Sequence, residues 1–118
     1  MTSQPESRLS RAIMAELRGM GAFAFKVHGG PTMMAGLPDI IACIPVDVWT
    51  TEAYERAAPE TMGLFVGIET KMPGNHTTAI QRARHHEIEA AGGRVYVPHS
   101  VAEAMDWVRT VADTPDDR

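Results

Sequence analysis

The sequence has one cysteine, Cys43, and no long apolar run. A lone cysteine excludes an internal disulfide and excludes a metal held by clustered thiolates. No apolar stretch approaches the roughly 20 residues that a membrane span requires. The opening MTSQPESRLSR is polar and charged and lacks the apolar run of a secretory leader, so a cytoplasmic setting is the default expectation. An excess of basic charge is missing too. The formal net charge is -4, which speaks against a generic nucleic-acid coat, since such a coat is basic.

What is present fits one modest domain. The chain has 118 residues, 44% of them apolar, enough for one core. Its charge is uneven. The end, DTPDDR, gathers Asp113, Asp116 and Asp117, and residues 113–118 are expected to form a disordered acidic tail. Basic residues bunch elsewhere: Arg8, Arg11 and Arg18 early, then Arg82, Arg84, His85 and His86 together. Local charge is therefore a better guide to partners than the total.

Periodicity sets out the elements. Leu9, Ile13, Leu17 and Met20 recur at steps of four, four and three, one face of a helix from about Pro5 to Met20. AFAFKVHGG alternates as a strand, with Phe23, Phe25 and Val27 on one side and Ala24, Lys26 and His28 on the other. LPDIIACIP reads as a short apolar strand bounded by prolines. Residues 46–62 read as an insertion, with a short helix around Thr51 to Ala58. GLFVGIETK is a third strand, and a helix follows from about Thr78 to Ala91, stopped by Gly92 and Gly93. RVYVP is a fourth strand. Ser100 and Glu103 form a capping-box pattern that opens the last helix, whose buried stripe is Val101, Met105, Val108 and Ala112. The third and fourth strands, joined by a helix, are expected to be parallel and the first three an antiparallel meander. The expected class is α/β, a mixed four-stranded sheet flanked by helices.

The third strand poses a chemical question. Glu69 and Lys71 sit two apart, on one face with Phe65 and Gly67. An isolated E-x-K is read first as a strand-end ion pair. Upstream, Gly36-Leu37-Pro38-Asp39 places a carboxylate at the start of an apolar strand, where a proline is tolerated because it has no N–H to give. A buried carboxylate is costly unless paired or bound to metal, although an aspartate after proline also closes turns. Gln81 stands early in the following helix, where Thr78-x-x-Gln81 also fits a capping box. Glu6 stands in the first helix, a place that favours acids in any case.

The order Glu6, Gly36-x-Pro-Asp39, Glu69-x-Lys71, Gln81 resembles the PD-(D/E)xK nuclease superfamily and, more narrowly, the VRR-NUC (virus-type replication-repair nuclease) family. The resemblance runs from Glu6 to the last helix, so residues 1–112 are read as one VRR-NUC-like nuclease domain of restriction-endonuclease-like core, with 46–62 as its departure from the pattern. It implies a metal-dependent DNA endonuclease. Asp39 and Glu69 would bind Mg2+ or Mn2+, with the backbone carbonyl of Thr70 as a further oxygen. Lys71 would orient or deprotonate the attacking water or stabilise charge on the phosphate. Glu6 would assist the metal, and Gln81 would position water or phosphate. Phosphodiester hydrolysis needs an activated water and neutralisation of an anionic transition state, which is why these residue types converge.

Partners follow from the same reading. Lys26 and His28, beside a glycine loop, are candidates for DNA contact, with a solvated strand face as the alternative. Arg82, Arg84 and His85 are candidates for phosphate contact, with an ordinary wet helix face as theirs. His85, His86 and Glu87 do not make a zinc motif, because HEIEA lacks the second histidine of H-E-x-x-H. Trp49 and Trp107 are read as core. The chain is small for reading base sequence, so the expected substrate is branched DNA, a four-way junction or flap, in phage or bacterial replication, recombination or repair. Paired cuts favour a homodimer. The competing reading is a non-catalytic DNA-binding or assembly module that keeps the fold.

Overall fold

A computed structural model describes residues 5–113. Eight elements follow one another: α1 (Pro5–Gly19), β1 (Phe23–Lys26), β2 (Ile40–Val48), α2 (Thr51–Glu55), β3 (Glu60–Ile68), α3 (Ala79–Ala90), β4 (Arg94–Tyr96) and α4 (Val101–Asp113). The strands form one sheet in the order β1-β2-β3-β4. The first two pairings are antiparallel and the last is parallel, with α3 as the crossover. The mixed four-stranded α/β sheet expected from the sequence is the sheet observed.

Alternation along the strands decides which side is covered. Ala24 of β1, Ile40, Ala42 and Ile44 of β2, and Val66 and Ile68 of β3 are buried on one face. They meet Ile13 and Leu17 of α1 and Ala104, Met105 and Val108 of α4. Burying one such aliphatic side chain is worth about 1.5–3 kcal/mol over leaving it exposed, so this layer holds α1 and α4 to the sheet. The opposite face is covered by α3 near β4 only. Phe23, Phe25 and Phe65 lie exposed on the remainder, with Phe23 and Phe65 flanking Cys43 in register.

Three segments differ from the sequence reading. Residues 46–62 belong to a long hairpin: β2 and β3 pair without a break from Ile40↔Ile68 to Val48↔Glu60, and α2 sits at the tip. Pro45 does not end β2. It pairs with Gly63, beyond the last β1 contact at Cys43, so on its β1 side no ladder bond is asked of it. Trp49 is not core; half-exposed, it packs on Tyr54 at the hairpin tip with ring centroids 5.0 Å apart. Trp107 does pack inward, stacked on Tyr96 at 5.1 Å. Asp113 ends α4 rather than opening a tail, and residues 114–118 lie outside the described residues. Among the described residues no helix is long and apolar enough to cross a membrane.

Candidate active site

The loop before β2 is built to press Asp39 against β3. Gly36 has φ +82, and a Cβ there would fall 2.7 Å from the carbonyl oxygen of Ile80, so the loop backbone lies directly on the start of α3. Pro38 is buried over Gly67, where a Cβ would come 2.7 Å from the proline ring. Arg84 donates from Nε to the Ala35 carbonyl at 2.8 Å and fastens the same loop from the helix side. The Asp39 carbonyl accepts from Val27 N–H at 2.7 Å, tying this corner to the end of β1. Both glycines are thus required by close approach of backbone or ring.

A directional chain of hydrogen bonds then fixes the Asp39 carboxylate. Its Oδ2 accepts from the Thr70 backbone N–H at 2.9 Å and from Thr70 Oγ1 at 2.7 Å. Thr70 Oγ1, its own hydrogen given to Asp39, accepts from Ser10 Oγ at 2.9 Å. Ser10 in turn accepts from Lys26 Nζ at 3.0 Å. Each hydroxyl gives one hydrogen and receives one, so a buried polar run from α1 to the loop is satisfied along its length. Lys26 therefore acts inside this chain, while His28 lies exposed beyond β1.

Glu69 and Lys71 lie just past the end of β3 at Ile68, yet their backbone stays in parallel pairing. Glu69 N–H donates to the Tyr96 carbonyl at 2.9 Å and Lys71 N–H to the Pro98 carbonyl at 3.3 Å. This projects the Glu69 side chain toward α3. It is only 2% exposed, and its carboxyl lies close enough to the Asp39 carboxylate to feel its charge. Burial first, then the Asp39 charge, push the Glu69 carboxyl up to about 8, while the Lys71 ammonium pulls the other way and Glu6 adds a small upward push. Oε1 of Glu69 has no hydrogen-bond partner. His85 Nε2 of α3 faces it at 3.7 Å, and burial lowers the His85 pKa, so the two are not an ion pair.

The other residues singled out in the sequence divide. Glu6 Oε1 accepts from Asn75 Nδ2 at 3.2 Å and from Met72 N–H at 3.4 Å, holding the loop after Lys71 against α1. Gln81 closes a capping box: its Oε1 accepts from Thr78 N–H at 2.8 Å and its N–H donates to Thr78 Oγ1 at 3.2 Å. Arg82 donates to the Thr77 carbonyl at 2.6 Å. Arg84, besides its loop contact, pairs with Glu87 at 2.9 Å. His85 is not on a wet face as expected; it turns inward over Glu69 because its position, one turn after Gln81, faces the sheet. A cleft of about 330 Å³ adjoins the site, lined by residues 27–39 that include Gly29, Gly30, Met33, Met34 and Asp39.

The donor set suits a hard divalent cation. Two carboxylates within reach of each other, one of them with a buried oxygen that lacks a partner, are stabilised together by nothing better than a shared positive charge. Among the described residues no group of three or more His, Cys, Asp or Glu is placed to hold a metal. Asp39 and Glu69, with a backbone oxygen and water, therefore suit an ion that keeps much of its hydration. Thr70 through its hydroxyl, and Ser10, were not singled out in the sequence; the available signal was a polar residue at the buried position of α1 between Glu6 and Ile13.

No family model and no curated protein matches the sequence. The fold does match. One solved structure described as "VRR_NUC domain" aligns with a TM-score of 0.67 at 16% identity, over 91% of this chain and 97% of its own. A second, described as "VRR_NUC domain protein", aligns with a TM-score of 0.63 at 15% identity, over 98% and 95%. The family that the Gly-x-Pro-Asp and Glu-x-Lys pattern resembles is the one for which these structures are described, and the chain has the fold of the VRR_NUC domain.

Proposed function

We propose that the protein is a metal-dependent endodeoxyribonuclease that hydrolyses phosphodiester bonds in branched DNA. The observation that carries this reading is the pairing of Asp39, which lines a cleft, with Glu69, whose buried Oε1 lacks a partner. A bound Mg2+ or Mn2+ supplies a Lewis acid that lowers the pKa of water and neutralises charge on the phosphate. Asp39, held by Thr70, and Glu69 would hold the ion, with the Thr70 carbonyl as the further oxygen. Lys71, on the same side of the extended chain as Glu69, gives its ammonium to the phosphate or the attacking water. Lys26 steadies Asp39 through Ser10 and Thr70. Glu6 sets the loop that follows Lys71, and Gln81 sets the start of α3.

The hairpin tip is an unfavourable DNA surface. Residues 46–62 carry four carboxylates, Asp47, Glu52, Glu55 and Glu60, against one guanidinium, Arg56. DNA is better received on the side of the Gly29–Gly30 loop, next to the exposed His28. Incubation of labelled duplex, flap, splayed and four-way substrates with Mg2+, Mn2+ or chelator tests the reading. Cleavage of branched substrates that chelator abolishes is expected; no cleavage of any substrate with either ion would sink it in favour of a non-catalytic module.

Two copies acting together complete the proposal. The uncovered sheet face presents Phe23, Phe25 and Phe65, with Phe23 at 71% exposure, and a second copy would bury it. Light scattering is expected to give a dimer mass at micromolar concentration, and Phe23→Glu a monomer. A parent that stays monomeric across concentrations removes the dimer and leaves the chemistry untouched.

A further inference from the structure

His85 has no place in the catalytic pattern, yet it is the closest buried side chain of α3 to Glu69. His85 is 8% exposed and Glu69 2%. Nε2 of one and Oε1 of the other are the two buried side-chain polar atoms, among the described residues, that lack a hydrogen-bond partner. They face each other at 3.7 Å, too long for a hydrogen bond and too short to admit another group between them. An unsatisfied buried polar atom is costly, and two at one point are not what a merely structural contact retains. The helix cannot easily swing the imidazole elsewhere. Its first turn is locked by the Thr78–Gln81 capping box, and Arg84, the preceding residue, is fastened to Ala35.

We propose that His85 is a positioning residue for Glu69: its Nε2–H closes onto Oε1 when a divalent cation is bound, fixing the carboxylate so that its other oxygen is presented to the ion. The closure needed is under about 1 Å, from 3.7 Å to an ordinary charge-assisted hydrogen bond. Carboxylates that hold metals are themselves held by outer partners, and loss of such a partner typically weakens metal binding about 10–100-fold. Asp39 already has its outer partners in Thr70. Among the described residues Glu69 Oε1 has no hydrogen-bond partner, and His85 Nε2 is the polar atom that faces it.

This inference rests on the proposed cation site, and its test separates the two. Binding of Mn2+ to metal-free protein is measured by titration calorimetry for the parent, Glu69→Gln, His85→Leu and His85→Gln, with thermal melts to confirm folding. His85→Leu keeps the volume without the donor and is expected to bind Mn2+ about 10–100-fold more weakly. His85→Gln, whose amide N–H can stand where Nε2–H stood, is expected to stay within about threefold of the parent. If His85→Leu binds like the parent while Glu69→Gln does not bind, the positioning role is wrong and the cation site stands. If His85→Gln is as weak as His85→Leu, ring packing rather than the donor is responsible, and the role is also wrong. If the parent does not bind Mn2+, or Glu69→Gln binds equally well, the cation site falls and this inference with it.

Discussion

Glu69→Gln is expected to abolish metal-dependent cleavage, by about 10³-fold or more, and at the same time to make the metal-free protein more stable at neutral and alkaline pH. Active sites commonly hold groups that destabilise the fold, and this one predicts loss of chemistry and gain of stability together. Its origin is the environment of this carboxyl. Glu69 is nearly fully buried beside Asp39, its Oε1 lacks a partner, and its pKa is raised to about 8. In the absence of a cation the ionised form is a buried negative charge facing another. A glutamine of the same length is neutral at every pH and can donate to Asp39 across the short gap, replacing repulsion by a hydrogen bond. Asp39 keeps its two bonds from Thr70 in the variant, so the loop from Gly36 to Asp39 is not disturbed. The checks are a cleavage assay with Mg2+ and a urea titration at pH about 8 without metal. A folded Glu69→Gln protein that cuts at the parental rate would end the nuclease assignment for this site; one that is less stable than the parent would show that the carboxylate is already compensated in the fold.

Much of this arrangement is legible in the sequence because it depends on short-range rules. Alternation in β1 and β3, glycines closing α3 and a serine opening α4 are local signals, and the structure places those elements accordingly. The Gly-x-Pro-Asp motif was legible as a pattern, but its physical reason was not. That reason is two long-range approaches, Gly36 to Ile80 and Pro38 to Gly67. The hairpin was misread because Pro45 is a stop in an isolated strand and is harmless where β1 no longer runs alongside. Ser10 was not singled out, and His85 was read as an outward-facing phosphate contact, for a shared cause. Each is a polar residue on the buried side of a helix, and its meaning depends on what the sheet holds opposite: Thr70 in one case, Glu69 in the other. Lys26 was placed on a DNA surface because strand alternation gives a side and not a partner; its ammonium reaches Ser10.

The metal-free protein is also expected to lose stability as pH rises from about 4.5 to about 8, and a divalent cation is expected to restore it. The sign follows from proton counting. In the unfolded chain Glu69 ionises near its ordinary value of 4.5, whereas in the fold it holds its proton to about 8. Between those values the native state binds more protons than the unfolded state, so stability falls with rising pH, and the fall is complete once both forms are ionised. Other groups titrate in the same window, so the measured quantity is the difference in unfolding free energy between Glu69→Gln and the parent. That difference should be small near pH 4.5 and grow to about 4 kcal/mol near pH 8, at about 1.4 kcal/mol per pH unit where the slope is full. A cation bound to the ionised pair acts in the opposite direction. At a hundredfold excess over its dissociation constant it adds about 2.7 kcal/mol to the native state, more than half of the loss, and it should do so for the parent and not for Glu69→Gln. Apparent metal affinity should rise with pH through the same range, because binding must displace the Glu69 proton. Urea titrations of both proteins at several pH values, with and without Mn2+, measure all of this together. A stability difference that stays flat from pH 5 to 8 would mean that Glu69 is ionised in the folded protein without a cation, and the electrostatic demand on which the metal site rests would be gone.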